Sequence, residues 1–265
     1  MRRFVQIGFL ILFAGANYWG WKIIQGDYSS ALILNSFYLT DPFAVIQTFM
    51  AGYLVASSAL MGALIIFLIY AVFFGRAFCS WICPVNMIAD LSNLLHRRLK
   101  MQKSLSKVPL NRNARYWILG GFLVLSTIAG GAAFEFISPI SMLYRGIIFG
   151  MGMGWLVIPF LMLLDLFIKP YAFCGHLCPL GAFYSLISRF RIIKITHHLN
   201  KCTLCNACFE VCPEKQVLQI VGKEQGFILS GECTLCGKCV DACDDDALKF
   251  SLLTIKEKSG GKQYV

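Results

Sequence analysis

A helical membrane unit of four spans, laid down as two repeated hairpins and followed by a small cysteine-rich α+β domain, is the architecture the sequence predicts. Three observations carry it. Of the 265 residues, 57% are hydrophobic and only 14% charged, too apolar for an ordinary soluble domain. Long apolar runs recur through the first two thirds of the chain, and all twelve cysteines fall into two spacing patterns.

The first span is expected at residues 4–24, which at about 1.5 Å rise per residue cover the roughly 30 Å hydrocarbon core, with Lys22 its one charge. Arg2 and Arg3 followed by an apolar run and Ala14, Gly15 and Ala16 also resemble a secretion signal. Tyr18, Trp19 and Trp21 continue the run as an aromatic belt, so retention as a helix is the expectation. Residues 30–50 are interrupted by Asn35, Asp41 and Pro42, just after Asp27, and read as an outer loop with an interfacial helix. Further spans are expected at 53–74, which carries no charge, at 117–137 and at 147–168, with Glu135 and Asp165 just beyond their uncharged cores. Helices are expected because lipid leaves backbone groups no other partner and the runs lack barrel alternation.

Basic residues set the orientation. Arg2 and Arg3 precede the first span, and Arg76, Arg97, Arg98, Lys100, Lys103, Lys107, Arg112 and Arg115 lie between the second and third. Both termini are therefore expected on the cytoplasmic side. The net charge of +10 follows from this bias and suits anionic headgroups of membrane lipid, so no nucleic-acid partner is expected.

A shift of 95 residues superposes the segment from Ala77 to Val85 on that from Ala172 to Leu180, each containing C-x-x-x-C-P: Cys79, Cys83 and Pro84, then Cys174, Cys178 and Pro179. Each copy follows a hairpin of spans and continues into an apolar and basic stretch, 87–98 and 182–194, read as an amphipathic surface helix. Three readings of the pairs stand side by side: four thiols holding an iron-sulfur centre, redox-active dithiols, or packing cysteines ahead of first-turn prolines.

The other eight cysteines form two C-x-x-C-x-x-C-x-x-x-C runs: Cys202, Cys205, Cys208 and Cys212, then Cys233, Cys236, Cys239 and Cys243. This is the spacing of a two-cluster bacterial ferredoxin, in which the fourth cysteine of each run ligates the other [4Fe-4S] cluster. The expected sets are Cys202, Cys205, Cys208 and Cys243 for one cluster, and Cys233, Cys236, Cys239 and Cys212 for the second. Structural zinc, the alternative, usually takes separated C-x-x-C knuckles. Pro213 follows Cys212 as such domains have it, whereas Asp244, Asp245 and Asp246 follow Cys243. Strands are expected at 216–221, 226–230 and 248–253, and such a small module should unfold without iron.

Other candidates are fewer. His176, inside the second pair, is placed to tune a centre or bond a quinol hydroxyl, or is merely positional. His197 and His198 read as solvated linker residues. Glu135 and Asp165 are candidates for proton relay or for plain interfacial solvation. The Gly150 to Gly154 stripe, with Met151 and Met153, reads as close helix packing. Dinucleotide, P-loop and covalent-haem motifs are missing, so electrons are expected from a lipid-soluble donor or a protein.

Taken together, the two C-x-x-x-C-P motifs at 79–84 and 174–179 and the eight cluster cysteines resemble the NapH family, the membrane component of the quinol dehydrogenase serving periplasmic nitrate reductase. A related membrane core occurs in NosR and CcoG, which carry further domains. The resemblance implies a multi-pass protein of the bacterial inner membrane with a cytoplasmic ferredoxin domain. It would oxidise menaquinol or ubiquinol from the quinone pool and pass electrons to an iron-sulfur protein of the NapG type, and so indirectly to the reductase. Of the readings of the C-x-x-x-C-P pairs, an electron-transfer role is the expectation, with Cys79, Cys83, Cys174, Cys178 and His176 as the candidate redox or quinol-proximal residues. The alternative is a membrane-tethered ferredoxin acting in assembly or metal reduction. The expected division is a membrane domain over 1–196, a 2[4Fe-4S] ferredoxin domain over 197–255 and a tail over 256–265.

Overall fold

The structure, a computed structural model, describes residues 2–19, 24–26, 29–33, 37–99, 111–150 and 152–253. Lys22, Trp21, Asp27, Asn35, Lys100, Lys103, Lys107, Met151 and the tail from 256 onward lie outside the described residues. In chain order the elements are α1 (Arg2–Tyr18), β1 (Ile24–Gly26), β2 (Ser30–Ile33), β3 (Phe37–Thr40), α2 (Pro42–Met50), α3 (Ser57–Ile69), α4 (Ala77–Trp81), α5 (Pro84–Arg98), α6 (Ala114–Ala129), α7 (Ala133–Ile137), α8 (Pro139–Phe149), α9 (Val157–Phe167), α10 (Pro179–Ile187), β4 (Ile193–His197), α11 (Ala207–Val211), β5 (Gly226–Phe227), α12 (Lys238–Asp241) and β6 (Leu248–Leu252). They pack as two units, one of residues 1–68 with 81–183, the other of 69–80 with those from 184 onward.

The first unit is helical, with α5 packed along α9 and α2 along α6. On two of its helices large apolar side chains point outward. On α3, Leu60, Met61, Leu64, Ile65 and Leu68 are exposed, while only Gly62 and Ala63 are buried. On α5, Asn86, Asp90, Ser92 and His96 face inward, and Leu91, Leu94, Leu95 and Leu99 outward. Soluble domains bury the opposite set. Hydrogen bonds satisfy part of this inward polar set, while Asn86 Oδ1, His96 Nδ1 and Gln47 Nε2 are buried with no hydrogen-bond partner among the described residues. Arg2 and Arg3 both reach Asp90, whose other oxygen accepts from Tyr171 Oη at 2.6 Å. Gln47 Oε1 takes the Phe134 N–H at 2.9 Å, and Glu135 accepts from Ser29 and from Ser141 at 2.8 Å.

Three expected spans differ in extent from these helices. Helix α1 stops at Tyr18, short of residue 24, and Ile24 enters an antiparallel three-stranded sheet of order β1-β2-β3. The expected loop over 30–50 therefore holds two strands as well as its helix, α2. The stretch 117–137 breaks at Gly130, which caps α6 at φ 62°, a left-handed angle glycine takes without strain. The stretch 147–168 is divided between α8 and α9, because Gly150 leaves α8 at φ 96°. The glycine stripe is thus a chain break, although Gly154 does sit close to α8, where a Cβ would meet the Met142 carbonyl at 3.3 Å. Among the described residues one helical run, 57–74, is long and apolar enough to cross a membrane, and 114–129 and 154–167 are shorter apolar helices.

The second unit centres on the antiparallel sheet β5-β4-β6. Burial along β4 runs through Lys194, Ile195, Thr196 and His197. The stretch expected as an amphipathic helix over 182–194 accordingly ends at residue 190 and turns into a central strand. The expected strand at 216–221 is a 3-10 turn over Lys215–Leu218, because Val217 and Leu218 are buried side by side rather than in alternation. Residues 70–74 pack on 188–190, and Gly75, at φ 54°, allows it: a Cβ there would lie 2.3 Å from Ser188 Oγ.

Candidate iron-sulfur centres

Each C-x-x-C-x-x-C loop is wound by two left-handed residues at matching places, Leu204 and Asn206 in the first, Leu235 and Gly237 in the second, 31 residues apart. Alternating right- and left-handed residues turn successive N–H groups to one side, a concavity suited to anions including iron-sulfur centres. The short helices α11 and α12 follow and pack on one another.

Two cavities result. One is lined by Cys202, Cys205, Cys208 and Cys243, with His197 and Asp245. The other is lined by Cys212, Cys233, Cys236 and Cys239, with Ile195 and Ile228. Each cavity therefore takes three cysteines from one run and the fourth from the other. Among the described residues no three His, Cys, Asp or Glu side chains are arranged to hold a single metal ion. Four thiols spread around a wall instead suit a cube with iron at its corners.

The thiols crowd one another. Burial pushes Cys212 up to about 12, with Cys236, Cys233 and Glu214 adding to it. Burial raises Cys239 and Cys208 as well, helped by neighbouring cysteines. Such groups give up their protons only to a strongly cationic partner, which is the chemistry iron would supply. The donor sets and the two cavities fit a pair of [4Fe-4S] centres.

The second cavity is surrounded by groups that spacing did not single out. Arg76 and Glu214 form a buried ion pair at 3.0 Å, and Arg76 also donates to the Glu232 carbonyl at 3.1 Å. Arg191 donates to the Cys233 carbonyl at 2.9 Å and the Ser230 carbonyl at 3.1 Å. Ser80, inside the first C-x-x-x-C-P motif, donates to the Thr234 carbonyl at 2.7 Å, one residue past Cys233. His197 is not a solvated linker residue. It is fully buried on β4, its Nδ1 donates to the Glu224 carbonyl at 2.8 Å, and its ring lines the first cavity. The strand assignment it lacked in sequence would have placed it there. His198, next along, has its N–H on the Ala247 carbonyl at 2.8 Å.

The C-x-x-x-C-P pairs are local structures at helix starts. Cys83 caps α5 in an extended conformation with Pro84 at the first turn, and Cys178 precedes Pro179 and α10 in the same way. Both are buried, and Cys178 Sγ accepts the Gly181 N–H at 3.4 Å, the bond a thiolate at a helix start would draw. Cys79 lies in α4, and Cys174 and the buried His176 in a single π turn over Phe173–Leu177. Arg115, fully buried, reaches the Gly175 carbonyl in that turn at 3.5 Å.

Comparison with known families agrees with this division. A 4Fe-4S binding domain model matches residues 55–102 and 147–196, one C-x-x-x-C-P motif in each, and a 4Fe-4S dicluster domain model matches 194–244. Similar curated proteins include the methylamine utilization ferredoxin-type protein MauN of Methylorubrum extorquens, 40% identical over 235 residues, 88% of this chain and 81% of that one. The ferredoxin-type protein NapH of Escherichia coli is 40% identical over 220 residues, 83% of this chain and 76% of that one. The putative electron transport protein YccM of Escherichia coli is 30% identical over 169 residues, 60% of this chain and 47% of that one. No solved structure matches.

Proposed function

The chain belongs to the family of ferredoxin-type iron-sulfur proteins that includes NapH and MauN, and on that premise we propose that it is the membrane-embedded electron-transfer subunit of a quinol-oxidising system. Quinol gives up two electrons, one at a time, and two protons. The electrons enter one-electron centres ligated by Cys233, Cys236, Cys239 and Cys212 and by Cys202, Cys205, Cys208 and Cys243, and leave to a partner iron-sulfur protein of the NapG type supplying periplasmic nitrate reductase.

One observation carries the reading: Ser80 of the first C-x-x-x-C-P motif bonds the backbone between Cys233 and Leu235, so the motif abuts the loop of the second centre. The matches of the 4Fe-4S binding domain to both motif-bearing segments support iron ligation at Cys79, Cys83, Cys174 and Cys178 over packing. The inverted polarity of α3 and α5 supports lipid around the first unit. Four spans with both termini inside are part of this reading, and the domain matches ending at 196 and beginning at 194 lie close to its division at 196/197. Purified protein in which a quinol analogue reduces iron-sulfur signals, with reduction abolished in Cys79→Ser and Cys174→Ser while the terminal reductase stays metal-loaded, is the expected result. Reduction that persists in both variants refutes it.

A second reading rests on MauN, named for methylamine utilization, whose identity to this chain equals that of NapH. Deleting the gene separates the two, since growth on methylamine and respiration on nitrate would fail in different strains.

A further inference from the structure

The guanidinium of Arg191 is fully buried. Its partners are the carbonyls of Cys233, Ser230 and Ile193, the last through Nε at 3.2 Å, and the hydroxyl of Ser188. None is a carboxylate, and among the described residues no ion pair reaches it. The neighbouring cation, Arg76, is already matched by Glu214. A buried guanidinium held only by neutral acceptors is strongly unfavourable unless negative charge lies close by. Arg191 donates to the Cys233 carbonyl at 2.9 Å, and Cys233 lines the second cavity.

We propose that Arg191 is the counter-charge of the iron-sulfur centre in the second cavity and holds its reduction potential up, an inference that rests on the iron-sulfur reading of that cavity. A [4Fe-4S] core with four thiolates is a net anion, and one-electron reduction adds a further negative charge with no bond made or broken. A fixed cation beside it stabilises the reduced form more than the oxidised one. Neither cavity wall includes an arginine or lysine, and each includes one carboxylate, Asp245 in the first and Glu214 in the second. Glu214 is matched by Arg76, which leaves Arg191, bonded to the Cys233 carbonyl just behind the second wall, as the cation that answers that centre. Arg191 is therefore a positioning and charge-setting residue for one centre of the two.

The test is an EPR-monitored redox titration of the full chain as wild type, Arg191→Gln and Arg191→Lys, with Cys205→Ser and Cys236→Ser assigning the two signals. Iron and acid-labile sulfide are counted first, and a wild type lacking them fails the iron-sulfur reading itself. Arg191→Gln should lower the second centre's potential so that its electron occupancy relative to the first falls at least tenfold, about 59 mV for a one-electron couple. Arg191→Lys should stay within threefold, and the first centre should not move. Intact centres with occupancy within twofold in Arg191→Gln overturn the proposal. Should Arg191→Gln lose the second centre, Arg191→Lys decides: retention near the wild-type potential upholds the charge, and loss there too overturns it in favour of the carbonyl contacts.

Discussion

Glu214→Gln removes one negative charge beside the second cavity while keeping the side chain's shape and its acceptor for Gln216, which lies 3.0 Å away. The Arg76 guanidinium then loses its carboxylate at a place where the two side chains are 1% and 5% exposed and 3.0 Å apart. Water screens little there, and an effective dielectric near 20 puts the lost attraction at about 5 kcal/mol. Breaking a buried pair at one end generally costs about 3–5 kcal/mol. The Glu232 carbonyl, 3.1 Å from the same nitrogen, remains and favours the lower end of that range. At 1.4 kcal/mol per tenfold, bleaching of the iron-sulfur absorption in mild urea should accelerate about a hundredfold to a few thousandfold. The companion Arg76→Gln/Glu214→Gln should recover most of the loss, because removing both ends leaves no unmatched charge. Bleaching within threefold of wild type in the single variant would show that the pair contributes nothing to holding the cavity.

Four other outcomes are expected. Gly62→Ala should cost about 1–3 kcal/mol by thermal unfolding in detergent, because its Cβ would lie 1.8 Å from the Tyr38 carbonyl. Gly120→Ala, in α6 with nothing within 4 Å, should instead raise the midpoint, the helix gaining about 1 kcal/mol. Ser80→Ala, which strips a buried carbonyl of its donor, should weaken retention of the second centre by about 1–3 kcal/mol and leave the first unchanged, read as differential loss of the two EPR signals. Chelation of iron should expose residues 193–252 to protease while α3 and α6 stay protected, since thiols crowded as Cys212 is have no other means of shedding their protons together.

The grouping of the cysteines around two cavities was readable because the doubled C-x-x-C-x-x-C-x-x-x-C spacing is regular enough to pair each run with the last cysteine of the other. Asn206 and Gly237 advertise their left-handed angles by residue type, but Leu204 and Leu235 adopt the same angles only because the cavity demands it. The strand over Ile193–His197 is illegible in the sequence because four adjacent buried residues, Lys194 among them, show no period-2 alternation, and the burial of His197 is hidden with it. Arg76 and Arg191 were invisible for a different reason. Near a membrane, arginines are accounted for by topology, and their real partners lie 138 and 42 residues away in sequence. The helix breaks near Gly130 and Gly150 follow from single glycines whose neighbours stay apolar, so hydropathy runs straight across them.

Because Cys243 closes the cavity begun by Cys202 and Cys212 closes the one begun by Cys233, the two halves of the module are knotted together through their sulfur atoms. Neither half is self-sufficient: a fragment ending before residue 226 would present three thiols to one cube and a single stray thiol to the other. Maturation should therefore be concerted, with partly filled intermediates scarce, and oxidative damage at Cys205, the one thiol classed as exposed, should propagate inward to both centres rather than stop at the first.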